Sequence, residues 1–361
     1  MYSKRILILS ILLVVCAMYF LYSCSDDAVQ YPVITPTPIV TPTPTVHPLG
    51  VGFTSPVSYD IGLVPSIAGC HKSSTFVETH IAAYSTAFLW YHVGNLTYDS
   101  NGNPKVTWGP GHQLNSVADT PSICISENNV VVEVHNGYDS NQLYYRVGIA
   151  DGVNYNINWG PEYNYDNGFY PCIAISPDGK YVAVVYQHSN TGNINNEALW
   201  YHTGTVDSVN KTIDWAAPVH YNDYYGSNPG ISLNEVGSAF ITQNTEKSGG
   251  TGTFCLGQLT GTNLAVGGAA DFSTGAYNYR SCFFDTNAVI VVGECLETSG
   301  TMNLYYKIGE TTNTSVNWFQ AMTKYGTGED PCIMFCNGSV MEVHSTESGG
   351  PRCKLWYSFC Y

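Results

Sequence analysis

Three copies of a Glu-x-His element are the residues in this chain best equipped for chemistry: Glu78/His80, Glu133/His135 and Glu342/His344. A carboxylate beside an imidazole can move a proton, orient a metal-binding ring or hydrogen-bond a polar ligand. Each pair sits in an apolar run such as VVVEVH (130–135), and residues two apart on a strand share one face. A pair that recurs in repeats serves the repeat more often than it catalyses, because an enzyme needs one asymmetric constellation. Catalytic residues are therefore expected to be absent. So is a metal centre, since His80, His135 and His344 would have to converge from separate strands. The chemistry expected of the six residues is ligand binding, with Tyr59, Tyr165 and Tyr221 beside them in neighbouring loops.

The elements that must position these groups are repeated. Aligning on a strand-opening proline gives VPSIAG (64–69), TPSICIS (120–126), YPCIAIS (170–176), NPGISLN (228–234) and DPCIMFC (330–336), with YRSCFFD (279–285) as a sixth, degenerate copy. The residue after the proline is small throughout, with Ser66, Ser122, Cys172, Gly230, Ser281 and Cys332 in register. A valine-rich strand follows each copy, then a third such as LWYHVG (89–94), LYYRVG (143–148), LWYHTG (199–204) or LYYKIG (304–309). A fourth contains VTWGP (106–110), INWGP (157–161), IDWAAP (213–218) or VNWFQ (316–320). Four short strands in a period of roughly 50 residues are the signature of a propeller blade. The last copy stops after its third strand, and VGFTSPVSYDIG (51–62) aligns with INWGPEYNYDNG (157–168). The sequence thus predicts an all-β, six-bladed β-propeller over 51–361, its blades four-stranded and the last one closed by the N-terminal strand.

On this alignment the Glu-x-His element marks blades 1, 2 and 6, which are consecutive in a closed ring. Blades 3, 4 and 5 are expected to carry Val184/Tyr186, Ile241/Gln243 and Val292/Glu294 there. The loops from fourth to first strand and from second to third strand share one face, and that face is where a ligand is expected. Asp99-x-Asn101-x-Asn103 starts like a calcium loop, but Pro110 stands where the closing Glu belongs, so a polar turn is expected. Cys172 and Cys332 are too far apart in a ring to pair, whereas Cys353/Cys360 or Cys332/Cys336 are possible disulfides.

The flanking sequence speaks to location. Lys4 and Arg5 precede the apolar run Ile6–Leu21, short of the roughly 20 residues of a spanning helix. Residues 1–23 are expected to be a signal peptide, because Leu21-Tyr22-Ser23-Cys24 resembles a bacterial lipobox with Cys24 as the lipidated residue. Ser25-Asp26-Asp27 resembles the acidic surface-export signal of Bacteroidota lipoproteins. Residues 24–50 then form a tether whose Pro/Thr tract, YPVITPTPIVTPTPTVHP (31–48), stays extended. An extracytoplasmic, lipid-anchored protein at the cell surface or outer membrane is expected. The net charge of −15, the pI near 4.9 and only four arginines exclude a nucleic-acid binder. No cofactor is expected, and the protein is expected to be a monomer.

Over 51–361 these motifs resemble the lectin-like and sialidase-like six-bladed propellers of secreted proteins. The resemblance implies a glycan ligand, with an envelope scaffold or a glycoside hydrolase as alternatives. Sialidases of this fold use an arginine triad and fucose lectins a repeated arginine, and Arg146, Arg280 and Arg352 match neither pattern. Tyrosine and tryptophan, with flat apolar faces and polar edges, suit sugar rings.

Overall fold

The computed structural model describes residues 52–83, 87–188, 198–222, 227–244, 251–297, 300–346 and 353–360. The leader, Cys24 and the Pro/Thr tract lie outside the described residues. Among the described residues every regular element is a β-strand. The alternating Val/Ile-rich runs pair antiparallel in sequence order. Leu63–Ala68, Thr75–Ile81, Phe88–Tyr98 and Pro104–Trp108 make one such sheet, and His112–Val117 pairs with the far end of the third strand. First strands occupy the centre: each of Leu63–Ala68, Ser122–Ile125, Tyr163–Ile175, Ser227–Leu233, Tyr277–Phe283 and Glu329–Cys336 touches the next, and the last touches the first. This cycle defines a propeller arrangement.

The hydrogen-bonded sheets are four of four or five strands and one of nine, rather than six of four. The cause is Tyr163–Ile175, a single uninterrupted strand. Its first half pairs with Gln142–Tyr145 of one repeat and its second half with Val182–His188 of the next, which fuses the two repeats into one ladder. The N-terminal strand Val57–Ile61 pairs with Lys354–Cys360, and Phe53 bridges Cys360. The free edge of the last repeat is thereby covered, as the alignment required. Apolar packing lies in the seams between neighbouring sheets; Val77, Leu89 and Val93, for example, pack on Ile123 and Val131.

Two devices hold the inner strands. At the entrance of five of them the register slips and one residue takes a left-handed conformation: Val64 (φ 50°), Tyr170 (53°), Asn228 (48°), Asn278 (50°) and Asp330 (53°). For non-glycine residues, and above all β-branched Val64, this backbone is strained. Just beyond it, the small residue after the proline stitches one inner strand to the next. Ile123 N–H donates to Ser66 Oγ (3.2 Å) and Ile173 N–H to Ser122 Oγ (3.2 Å). Ile231 N–H donates to Cys172 Sγ (3.4 Å) and Ile67 N–H to Cys332 Sγ (3.5 Å). Adjacent inner strands diverge too far for ladder bonds, so side chains satisfy amides that would otherwise be buried unpaired. Cys332 and Cys336 carry free thiols, as does Cys360, so neither expected disulfide forms.

The fifth repeat departs from the sequence alignment by one residue. Arg280, not Ser281, pairs with Val292 as Ser66 pairs with Thr79, so Arg280 takes the inner-strand position. Its second-strand positions are correspondingly Val291 and Gly293 instead of Val292 and Glu294, because Val291 pairs with Lys307 as Glu78 pairs with His92. The missing proline in YRSCFFD removed the marker that aligned the other copies.

Candidate functional site

Each Glu-x-His pair closes on itself. His80 Nδ1 lies 3.1 Å from both Glu78 carboxylate oxygens, His135 Nδ1 3.0 and 3.2 Å from those of Glu133, and His344 Nδ1 3.1 and 3.2 Å from those of Glu342. All six side chains belong to residues no more than 4% exposed. Alternation along the strand turns them into the seam with the preceding sheet, where further groups complete the carboxylates. Tyr59 Oη donates to Glu78 (3.0 Å), and Ser358 Oγ donates to Glu342 (3.0 Å). The three histidines do not come together, since each stays with its own glutamate.

The tyrosines also face inward. Tyr59 stacks on Trp108 with ring centroids 4.2 Å apart and planes at 7°, and Tyr165 stacks on Trp215 at 5.0 Å. Phe53 with Tyr325 (4.1 Å) and Phe272 with Trp318 (5.6 Å) repeat the pairing. The fourth-strand tryptophan is thus one half of an inter-sheet aromatic clamp. Tyr221 lacks that partner, because Val266 replaces the tryptophan in its repeat, and it tilts against Tyr201 at 6.1 Å. Burial, with Glu78 beside it, pushes the Tyr59 phenol well up; burial does the same for Tyr165 and Tyr221.

A basic position in the same seams escaped the sequence reading. The fourth residue of each third-strand motif faces the glutamate position across the ladder: His92, Arg146, His202, Cys255, Lys307 and Ser358. Four of these six are basic in a chain with 13 Lys and Arg. Each basic group packs on the fourth-strand tryptophan: His92 on Trp108 (5.7 Å), Arg146 on Trp159 (6.0 Å), His202 on Trp215 (5.8 Å) and Lys307 on Trp318 (4.7 Å). Acceptors complete the contact. His92 Nε2 lies 2.7 Å from Asp60 Oδ2 and His202 Nε2 2.9 Å from Asp166 Oδ2, while Arg146 bonds Glu162 and Ser116. The recurring His/Arg/Lys in LWYHVG, LYYRVG and LYYKIG was the signal available in the sequence.

On the face where the second strands end, five repeats leave one aromatic ring half-buried: Trp90, Tyr144, Trp200, Tyr305 and Trp356. These stand in register with the ends of the second strands, Trp90 opposite His80, Tyr144 opposite His135 and Trp356 opposite His344. His135 stacks under Tyr144 at 5.5 Å, and His188 lies 4.8 Å from Trp200. In the second repeat the buried Glu133–His135 pair thus underlies the ring that remains accessible.

The same face carries a second polar cluster, at the axis. A narrow cavity of about 120 Å³ runs between the inner strands, with Ser66, Ser122, Cys172, Arg280 and Cys332 on its wall. Where the inner strands enter, on residues Asn228, Asn278 and Asp330 of strained backbone, side chains link in series. Asn228 Nδ2 donates to Asn278 Oδ1, Asn278 Nδ2 donates to Glu294 Oε1 (2.5 Å), and the Asp330 N–H donates to Glu294 Oε2 (2.5 Å). Burial and the facing Asp330 hold the Glu294 carboxyl well above its usual range. Burial and Glu329 push Asp330 up to about 6. The sequence placed Glu294 only at a second-strand position and Asp330 only before a strand-opening proline, because only the ring brings 278, 294 and 330 together.

The polar turn expected at Asp99 is present: its carboxylate accepts the Asn101 and Asn103 N–H groups at 2.8 and 2.9 Å. Asp151 and Asp207 form the equivalent turns of the next two repeats.

No family model and no curated protein matches the chain. Among solved structures, a protein of unknown function from Dyadobacter fermentans DSM 18053 is similar with a TM-score of 0.55 and 11% identity, over 86% of this chain and 100% of that one. Trypanosoma rangeli sialidase in complex with sialic acid is similar with a TM-score of 0.52 and 10% identity, over 85% of this chain and 57% of that one. Another structure of the sialidase gives 0.50 and 11%, over 83% and 55%. The chain spans little more than half the length of the sialidases it matches. At this identity the likeness is one of fold: an all-β propeller with sialidases among its structural neighbours. The described arginines, Arg146 in a seam and Arg280 at the axis, do not form a triad.

Proposed function

We propose that the protein is a surface-tethered propeller of six repeats, the nine-stranded sheet counting as two, and that it binds an extracellular glycan on the face where the second strands end. The observation that carries this reading is the recurrence of one half-buried aromatic ring, Trp90, Tyr144, Trp200, Tyr305 or Trp356, at the same position in five repeats. Half-buried rings set on paired strands offer stacking area to a sugar at little entropic cost. In this reading Glu78, His80, Glu133, His135, Glu342 and His344, with Tyr59, Tyr165 and Tyr221, support the binding face from within the seams. The lipobox-like Cys24 and the Pro/Thr tract (31–48) supply the anchor and stalk. The sialidase-like fold is compatible with a glycan ligand but does not specify one.

A glycan array probed with the purified protein and with Trp90→Ala/Trp200→Ala/Trp356→Ala tests the proposal. Binding by the wild type that the triple variant loses is the expected result. An array without hits, or hits that survive the three substitutions, overturns it.

A further inference from the structure

We propose that Asp60, His80 and His92 form a site for one divalent transition-metal ion of the zinc class, in the seam between the first repeat and the strand that closes the ring. Asp60 comes from the closing strand Val57–Ile61, His80 from the second strand of the first repeat and His92 from its third. One ligand atom from each lies within 4.8 Å of the other two.

The hydrogen bonds set the tautomers for metal binding. His80 Nδ1 faces the Glu78 carboxylate and His92 Nδ1 faces the Gly109 carbonyl oxygen (3.1 Å), and both of those partners accept. Each Nδ1 therefore carries the proton, and both Nε2 atoms turn to Asp60 Oδ2, at 4.0 and 2.7 Å. A ligating imidazole whose second nitrogen donates to a carboxylate or a carbonyl is the arrangement protein metal sites use. Ligand atoms sharing a tetrahedral ion at bonds of about 2.0–2.1 Å sit roughly 3.3 Å apart, a value between the two separations seen here. The imidazoles are buried, with side chains 2% and 6% exposed, but the Asp60 side chain is 34% exposed, which leaves it room to adjust and a fourth position open to solvent. Backbone spacing adds to this: a Cβ at Gly62 would meet the His80 ring at 2.4 Å, so glycine is needed for the ring to sit there.

The other repeats show what makes this seam different. In the second repeat the corresponding volume already holds a cation, the Arg146 guanidinium, bonded to Glu162 and 3.6 Å from Glu133. In the third, Tyr186 replaces His80 and donates to Asp166 at 2.5 Å; His188 and His202 each reach that carboxylate, at 3.9 and 2.9 Å, but the three do not gather within 4.8 Å of one another. Among the described residues, the first repeat alone combines two imidazoles and a carboxylate within this reach.

The test uses the full chain, stripped with chelator and titrated with Zn²⁺ by calorimetry and with Co²⁺ by visible absorption. One ion per chain and a Co²⁺ d–d band are expected. His92→Ser and Asp60→Asn borrow the residues that the sixth and fourth repeats use, Ser358 and Asn222, and each should weaken binding at least tenfold. Glu78→Gln, which removes no ligand but changes the group that His80 Nδ1 and the Tyr59 hydroxyl bond, should weaken it by about 10–100-fold. His202→Ser in the third repeat should leave binding unchanged. Absence of stoichiometric binding, binding that survives both His92→Ser and Asp60→Asn, or equal loss in His202→Ser overturns the proposal. If His92→Ser does not fold, Asp60→Asn, at a partly exposed side chain, carries the decision.

Discussion

At the scale of residues, the entrance of the inner strands concentrates what the fold does not need. Backbone strain at Asn228, Asn278 and Asp330 and two carboxyls with raised pKa values occupy one end of the ring. Strain and displaced pKa values of this kind gather where a ligand is handled. The carboxyls also have a consequence for stability. Asp330 has its folded-state pKa raised to about 6 from 3.8, so between those values the unfolded chain loses the proton and the folded chain keeps it. Stability therefore falls as pH rises through that window. Asp330→Asn, which also suits the left-handed backbone, should flatten the melting temperature between about pH 4 and 6 and raise it at pH 7. Parallel curves for variant and wild type would contradict the assignment.

At the scale of elements, the seam at the first repeat layers an aromatic clamp (Tyr59 and Trp108), a buried carboxylate (Glu78) and a basic group (His92), and the other seams keep parts of that set. In the second repeat the carboxylates are Glu133, fully buried, and Glu162, and the base is Arg146. Removing one partner from a buried pair leaves an uncompensated charge, at a cost of about 3–5 kcal/mol. Arg146→Ala should lose stability on that scale in chemical denaturation; a change within 1 kcal/mol would show that water already reaches the seam. The Glu-x-His strands were legible as strands, and their two-residue spacing correctly put both side chains on one face. Whether that face met solvent or a neighbouring sheet was not legible, because both surfaces of a propeller blade are covered and alternation no longer separates inside from outside.

For the whole molecule, the closing strand decides integrity. Val57–Ile61 pairs with Lys354–Cys360, and Thr54 exchanges two hydrogen bonds with Phe359 at 2.8 and 3.0 Å. Deleting residues 52–61 would uncover the Lys354–Cys360 edge, open the first seam and remove Tyr59 and Asp60. Loss of cooperative unfolding and self-association in sedimentation are the expected outcomes; a monomer with unchanged melting would show that closure is dispensable.

The sequence by itself determined the repeat, the all-β propeller arrangement and the pairing of the N-terminal strand with the last one, because prolines, aromatic strand motifs and tryptophans recur at a fixed period; the fifth strands and the fused nine-stranded sheet were not legible in it. It also held the basic seam position, in plain sight within those motifs. Tertiary structure alone decided the rest. It turned the Glu–His pairs inward and left the neighbouring rings half-open. It moved the fifth repeat by one residue and put Arg280 on the axis. It gathered Asp60, His80 and His92 from the closing strand and the first repeat, and Asn278, Glu294 and Asp330 from the fifth and sixth repeats. The physical reason is the same in each case: periodicity fixes what is near in the chain, whereas these groups meet across seams, and only ring closure sets which strand ends become neighbours.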